Sequence, residues 1–140
     1  MVRFQVLNPA DIDRIIPLIK ELNPELELQS IEQNQKEMFD IANYRCFGLF
    51  LGDDLIGISS GWITVRHYSG KQMEIDNIII TQAHRSTGYG KHFVEFIEQW
   101  SRDEGCQTIE LNTYVTNTRS HKFYYDLGFK ILGFHFFKPL

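Results

Sequence analysis

The stretch Arg85-Ser86-Thr87-Gly88-Tyr89-Gly90-Lys91 has the residue types and spacing to bind a phosphate. An alternating, β-branched run from Met73 to Thr81 precedes it, and a run with helical spacing, Lys91 to Glu104, follows. A loop between a strand and a helix start turns several backbone N–H groups toward one point. The four free N–H groups of a helix N-terminus and the helix dipole favour an anion there. Gly88 and Gly90 lack side chains, so a phosphate can approach the backbone closely. Two familiar phosphate loops fail on spacing. A P-loop needs four residues between its first glycine and a Gly-Lys-Ser/Thr run, but one residue separates Gly88 from Gly90, and His92 follows Lys91. A dinucleotide fingerprint needs a glycine at position 93, which is Phe93.

A second constellation lies about a helix and a strand further on. From Asn117 the chain reads Asn-Thr-Arg-Ser-His-Lys-Phe-Tyr-Tyr-Asp-Leu-Gly-Phe. Asn117, Ser120, the pair Phe123-Tyr124 and the pair Gly128-Phe129 stand at spacings that, together with R-x-x-G-x-G at the end of a strand, resemble the GNAT superfamily of acyl-CoA-dependent N-acyltransferases. The two motifs keep that family's order and cover about residues 73 to 130.

The resemblance implies acetyl-CoA as co-substrate and a substrate amine that attacks its thioester directly in a ternary complex. The attacking amine must be neutral, so a nitrogen with a pKa near 10 must first lose a proton. The tetrahedral oxyanion wants an N–H donor, and the departing thiolate wants a proton. By the family pattern, the backbone of Ile78, Ile79 and Ile80 pairs with the pantetheine arm like an added strand. The N–H groups of Ser86, Thr87, Gly88, Tyr89, Gly90 and Lys91 hold the pyrophosphate, with Arg85 adding charge. Tyr124 occupies the general-acid position, and Asn117 contacts the cofactor arm or caps its helix. Glu74 and Asp76 alternate on one strand face, so either carboxylate, or a water chain, is the base. The acceptor is a small-molecule amine or a protein amino group. The alternative reading is a module of this fold that binds acyl-CoA without transferring it, as a sensor or partner protein.

Composition narrows the rest. At 140 residues the chain reads as one domain, 1–140, and 43% hydrophobic residues, 11 of them Phe, suffice for a core. A net charge of −4 argues against a nucleic-acid binder that works by bulk charge. No apolar run approaches the ~20 residues that span a bilayer, and Met1 to Val6 lacks a signal peptide's apolar stretch. Cys46 and Cys106 read as free, buried thiols of a cytoplasmic protein. The five histidines and two cysteines show no metal-ligand spacing, and no nucleophile elbow is visible.

The elements that must position these residues follow from periodicity and caps. Residues 2 to 7 alternate as a strand, and Asn8-Pro9 opens a helix striped by Ile12, Ile15, Ile16 and Ile19. Ser30-Ile31-Glu32-Gln33 reads as a capping box for a second helix reaching Ala42. Strands are expected at 46–51, 55–65 and 73–81, then a helix from Gly88, a strand at 108–114, a helix at 117–127 and a final strand or split pair at 130–137. The order β-α-α-β-β-β-α-β-α-β is mixed α/β. It agrees with the GNAT fold, a central, mostly antiparallel mixed sheet with flanking helices. The aromatic stretch Phe134 to Phe137 either completes that sheet or pairs across a homodimer.

Overall fold

Two glycines with left-handed backbone set the sheet's hairpins. Gly52 (φ 60°) turns β2, Tyr44–Leu51, into β3, Asp54–Arg66, and Gly70 (φ 70°) opens β4, Gly70–Ile80. The computed structural model describes residues 1–140. β1, Val2–Leu7, pairs antiparallel with β2, and β5, Thr108–Leu111, lies parallel to β4, giving the order β1-β2-β3-β4-β5. The parallel pair needs a crossover, and α3, Tyr89–Asp103, supplies it. α1, Ile12–Leu22, and α2, Leu28–Phe39, link β1 to β2, and α4, Thr118–Asp126, follows β5.

Helices cover both faces of the sheet. On one, Ile15 and Leu18 of α1 pack with Leu7, Tyr44, Cys46, Phe50, Ile58 and Ile79. On the other, Phe93 and Ile97 of α3 pack with Phe47, Leu49, Ile56, Met73 and Ile75. Where the chain must approach itself closely, β3 carries glycine. A Cβ on Gly57 would stand 3.1 Å from the Ile79 carbonyl oxygen and 3.2 Å from Leu49. The carbonyl belongs to the β4 backbone and cannot swing aside. Gly57→Ala is therefore expected to cost about 1–3 kcal/mol, read as a lower urea midpoint at unchanged m.

The mixed α/β class and the element order hold as far as α4, with differences in the extent of elements. The second helix stops at Phe39, short of Ala42. The second helix starts at Leu28, not Ser30, because the Ile31 N–H already bonds the Glu27 carbonyl one turn earlier (3.1 Å). β5 stops at Leu111. The strand expected at 130–137 is not formed, and that segment has no regular structure. Both thiols are free, with Cys46 buried and Cys106 half-buried, and burial pushes the Cys46 thiol up to about 12. No helix is long and apolar enough to cross a membrane.

Candidate active site

β4 and β5 part company in mid-strand. Their rungs run from Gln72 opposite Thr108 to Ile75 opposite Leu111 and then cease, although β4 continues to Ile80. A bulge sits at the parting point: Asn77 and Ile78 of β4 face only Ser59 of β3, between the rungs Ser60–Asp76 and Ile58–Ile79. Asn77 has φ 54°, a left-handed conformation that Asn tolerates better than most residues. The extra residue flips the alternation. Glu74 and Asp76 share one face before the bulge, and Ile79 takes over that face after it. Past the bulge, Ile79 and Ile80 pair with Ile58 and Gly57 on the β3 side, while the other edge of β4 has no strand neighbour. An extended ligand arm can pair with that edge.

At the end of β4 the chain makes a tight loop leading into α3. Ser86 (φ 61°) and Gly88 (φ 85°) both adopt left-handed backbone, the kind of conformation from which anion-binding nests are built. Gly88 is the N-cap of α3 and offers no side-chain cap, so the first N–H groups of the helix are left for another acceptor. The loop is tied down around them. Arg85 Nε donates to the Ile80 carbonyl (2.9 Å), Thr87 Oγ1 donates to the His84 carbonyl (2.7 Å), and the Gln82 N–H donates to Glu21 of α1 (2.8 Å). Arg119 of α4 reaches across to hydrogen-bond the Ser86 hydroxyl, bringing a second guanidinium to the loop.

α4 delivers Tyr124 by two terminal devices that account for its motif. Asn117 caps the start, its Oδ1 accepting the Ser120 N–H (3.3 Å). At the far end Gly128 (φ 92°) closes a Schellman motif: Phe129 N–H bonds the Tyr124 carbonyl and Gly128 N–H the Tyr125 carbonyl, each at 3.0 Å. The same turn brings the Phe129 ring edge-on to Tyr124, centroids 5.7 Å apart, and Phe123 flanks it at 5.2 Å. Phe123 also stands where a Cβ on Gly90 would lie (3.3 Å), beside Ile80 (3.5 Å), so α4, the start of α3 and the end of β4 converge. The Tyr124 hydroxyl makes no hydrogen bond within the chain, and it is not sealed from solvent. Burial of the ring raises its pKa above the usual phenol value.

The two acids differ in their surroundings. Glu74 Oε1 accepts from Gln72 Nε2 (2.8 Å), Arg66 Nη2 (2.9 Å) and Thr64 Oγ1 (3.0 Å), so this carboxylate is held and paired. Asp76 has no such partners. It is solvent-accessible, yet the protein around it displaces enough water to raise its carboxyl above the usual carboxylate range, partly opposed by the Asn77 backbone. Opposite Asp76 stands Ser60, the end of a buried polar chain. Gln35 Nε2 donates to the Tyr44 hydroxyl (2.9 Å), which bonds Ser60 Oγ (2.7 Å). Burial raises the Tyr44 phenol strongly.

A family model for the acetyltransferase (GNAT) family matches residues 13–129. The chain belongs to this family. The N-acetyltransferase YhdJ of Bacillus subtilis (strain 168) is 26% identical over 125 residues, 89% of this chain and 88% of that one. Streptothricin acetyltransferase of Escherichia coli is 25% identical over 95 residues, 66% of this chain and 51% of that protein. The solved structure of AAC(6')-Iy in complex with the bisubstrate analog CoA-S-monomethyl-acetylneamine has a TM-score of 0.87 at 19% identity, covering 100% of this chain and 98% of that one. At that identity the likeness is one of fold.

In this GNAT chain the structure brings Gly90 and Ser86 of the Arg85–Lys91 loop, Ile80 at the end of β4, and Phe123 and Arg119 of α4 together. Glu74 and Asp76 lie on the face shared with Tyr44 and Trp62, whose rings are 4.7 Å apart. Sequence reading passed over Arg119, which stands inside the second motif but has no positional signal of its reach to Ser86. It also missed the three donors on Glu74, visible only once the β3–β4 register is known.

Proposed function

We propose that this chain transfers the acetyl group of acetyl-CoA to a primary amine by direct attack in a ternary complex. The observation that carries the reading is the end of the β4–β5 pairing at Ile75 and Leu111 beside the Asn77 bulge, with the left-handed Ser86–Gly88 loop at the end of β4 and Phe123 of α4 against Gly90. The pantetheine arm takes the open edge at Ile78, Ile79 and Ile80. The N–H groups of Ser86 to Lys91 hold the pyrophosphate, with Arg85 and Arg119 beside them. Asn117 keeps α4 in place by capping it. In the step itself, the amine nitrogen bonds to the thioester carbon, the oxyanion takes a backbone N–H, and the C–S bond breaks. The sulfur leaves with the Tyr124 proton, which solvent restores, and the amine proton passes to Asp76 directly or through water. Glu74, already holding three donors, shapes the acceptor face rather than taking the proton.

The acceptor is a small cationic amine. Support comes from Asp76, Glu74 and Glu110 on the sheet, from the streptothricin named for a relative, and from the aminoglycoside named for the structurally similar AAC(6')-Iy. Thiol release from acetyl-CoA against a panel of such amines tests the reading. Turnover with one class is expected; tight CoA binding without turnover on any amine would replace the transferase with a sensor.

The Ser86–Gly88 loop predicts a separate effect. Gly88 has φ 85°, and its Cβ position faces open space, where the pyrophosphate is to lie. Gly88→Val forces a β-branched residue into left-handed backbone at a cost of about 1–2 kcal/mol. It is expected to raise the KM for acetyl-CoA about tenfold while kcat at saturation changes less than about twofold.

A further inference from the structure

A buried row of polar groups runs up to the acceptor face and arrives there with a proton to spare. Gln35 of α2 and Ser60 of β3 are 2% and 5% exposed, and the Tyr44 hydroxyl joins them. The direction of the row follows from its chemistry. Gln35 Nε2 can only donate, and it donates to the Tyr44 oxygen at 2.9 Å. Tyr44 has one proton of its own, which needs an acceptor. Ser60 Oγ stands 2.7 Å away, whereas Cys46 Sγ on the same face is a weak acceptor. The phenol proton therefore lies on the bond to Ser60. Ser60 Oγ has then accepted, and its own proton is left for a further partner.

Asp76 is placed to be that partner. Ser60 and Asp76 are directly opposed on β3 and β4, and side chains so opposed have Cβ atoms about 4.5–5.5 Å apart. No direct hydrogen bond joins the two, and one water spans such a gap. The other ionisable groups on this side are engaged or neutral. On the sheet, Glu74 pairs with Arg66, and Glu110 accepts from the Tyr68 hydroxyl. On α1, which packs over the face, Glu21 holds the Gln82 N–H, and Lys20 and Arg14 hold backbone carbonyls. Asp11 holds the Asn8 N–H, and Asp13 opens toward α2. Burial keeps Tyr44 and Cys46 protonated.

We propose that Ser60 is a positioning residue for Asp76, its proton aimed by Gln35 and Tyr44 at that carboxylate across one water. The donated proton favours the charged form of Asp76 and leaves its other oxygen free for the amine. In the reaction the amine proton passes to the carboxylate, while Ser60 and Tyr44 keep theirs. This role rests on the transferase reading, but the hydrogen bond can be read without turnover.

The test is a carboxyl carbon-13 NMR titration of the full chain, with the Asp76 resonance assigned by its loss in Asp76→Asn. Ser60→Ala should raise the Asp76 midpoint by about one pH unit, because a donor to the charged form is gone. Tyr44→Phe should raise it less, since Ser60 keeps its proton but loses its aim. Ser60→Thr retains the hydroxyl and should titrate like the wild type. In turnover, the acid limb of kcat/KM should move up by the same interval in Ser60→Ala. Adding Ser60→Ala to Asp76→Asn should cost less than about twofold more. A merely structural serine would lower the melting temperature and leave the midpoint in place. A midpoint unmoved in Ser60→Ala, or losses that multiply in the double variant, would overturn the proposal. A raised midpoint in a chain that acetylates no amine would uphold the hydrogen bond and remove the transferase reading instead.

Discussion

Replacing Tyr124 with phenylalanine lowers kcat by about 10²–10⁴-fold and leaves the KM for acetyl-CoA within about twofold. The ring's packing against Phe123 and Phe129 survives the change, since both contacts are edge-on and neither uses the hydroxyl. The hydroxyl makes no hydrogen bond inside the chain, so its removal strands no partner and the melting temperature should not move. What is lost is the proton for the departing thiolate. A phenol suits that role because burial raises its pKa, keeping it protonated through neutral pH and above its usual value of 10. The wild-type rate should therefore hold on the alkaline side until above pH 10, and the variant should have no such limb. Near-normal turnover in Tyr124→Phe at intact CoA binding would remove Tyr124 from the mechanism.

The parts of the site legible in sequence are those whose chemistry belongs to local backbone. Asn117, Gly128 and Phe129 announce a cap and a Schellman stop, and the structure forms both; a Cβ at Gly90 would lie 3.3 Å from Phe123, while nothing stands within 4 Å of a Cβ at Gly88. The illegible parts depend on register. Nothing in the alternating run Glu74 to Ile80 marks Asn77 as a bulge, beyond the tolerance of Asn for positive φ. Yet that one residue lies two positions past the last β4–β5 rung and decides which side chains share a face with Asp76. The three donors on Glu74 come from two strands and depend on the same register. Two readings failed because a local signal lacked its context. Ser30 resembles an N-cap, but the helix had already begun at Leu28. Residues 130–137 have the propensity of a strand, and propensity does not supply a partner.

Asp76→Asn is expected to lower kcat/KM about 10²-fold at pH 7 and to abolish the acid limb of the pH profile. The sign follows from the direction of the shift. The surrounding protein raises the Asp76 carboxyl above 3.8, so the carboxylate that accepts the amine proton disappears, as pH falls, sooner than an ordinary aspartate would. The same shift makes an opposite prediction for stability. A group whose pKa is higher folded than unfolded favours folding most below its unfolded value, and that contribution is lost as pH rises through the folded value. At pH 7 the charged Asp76 is thus held at a cost, and Asn, of nearly the same shape, removes it. Asp76→Asn should melt at or above the wild-type temperature at pH 7, with the advantage vanishing as pH falls below 3.8. Slower catalysis joined to equal or greater stability separates a proton acceptor from a structural carboxylate, whose loss lowers both. A structural role would be expected of Glu74, where Gln would leave Arg66 without its ion pair at 2.9 Å. If Asp76→Asn keeps full activity and its acid limb, the amine proton leaves through water alone.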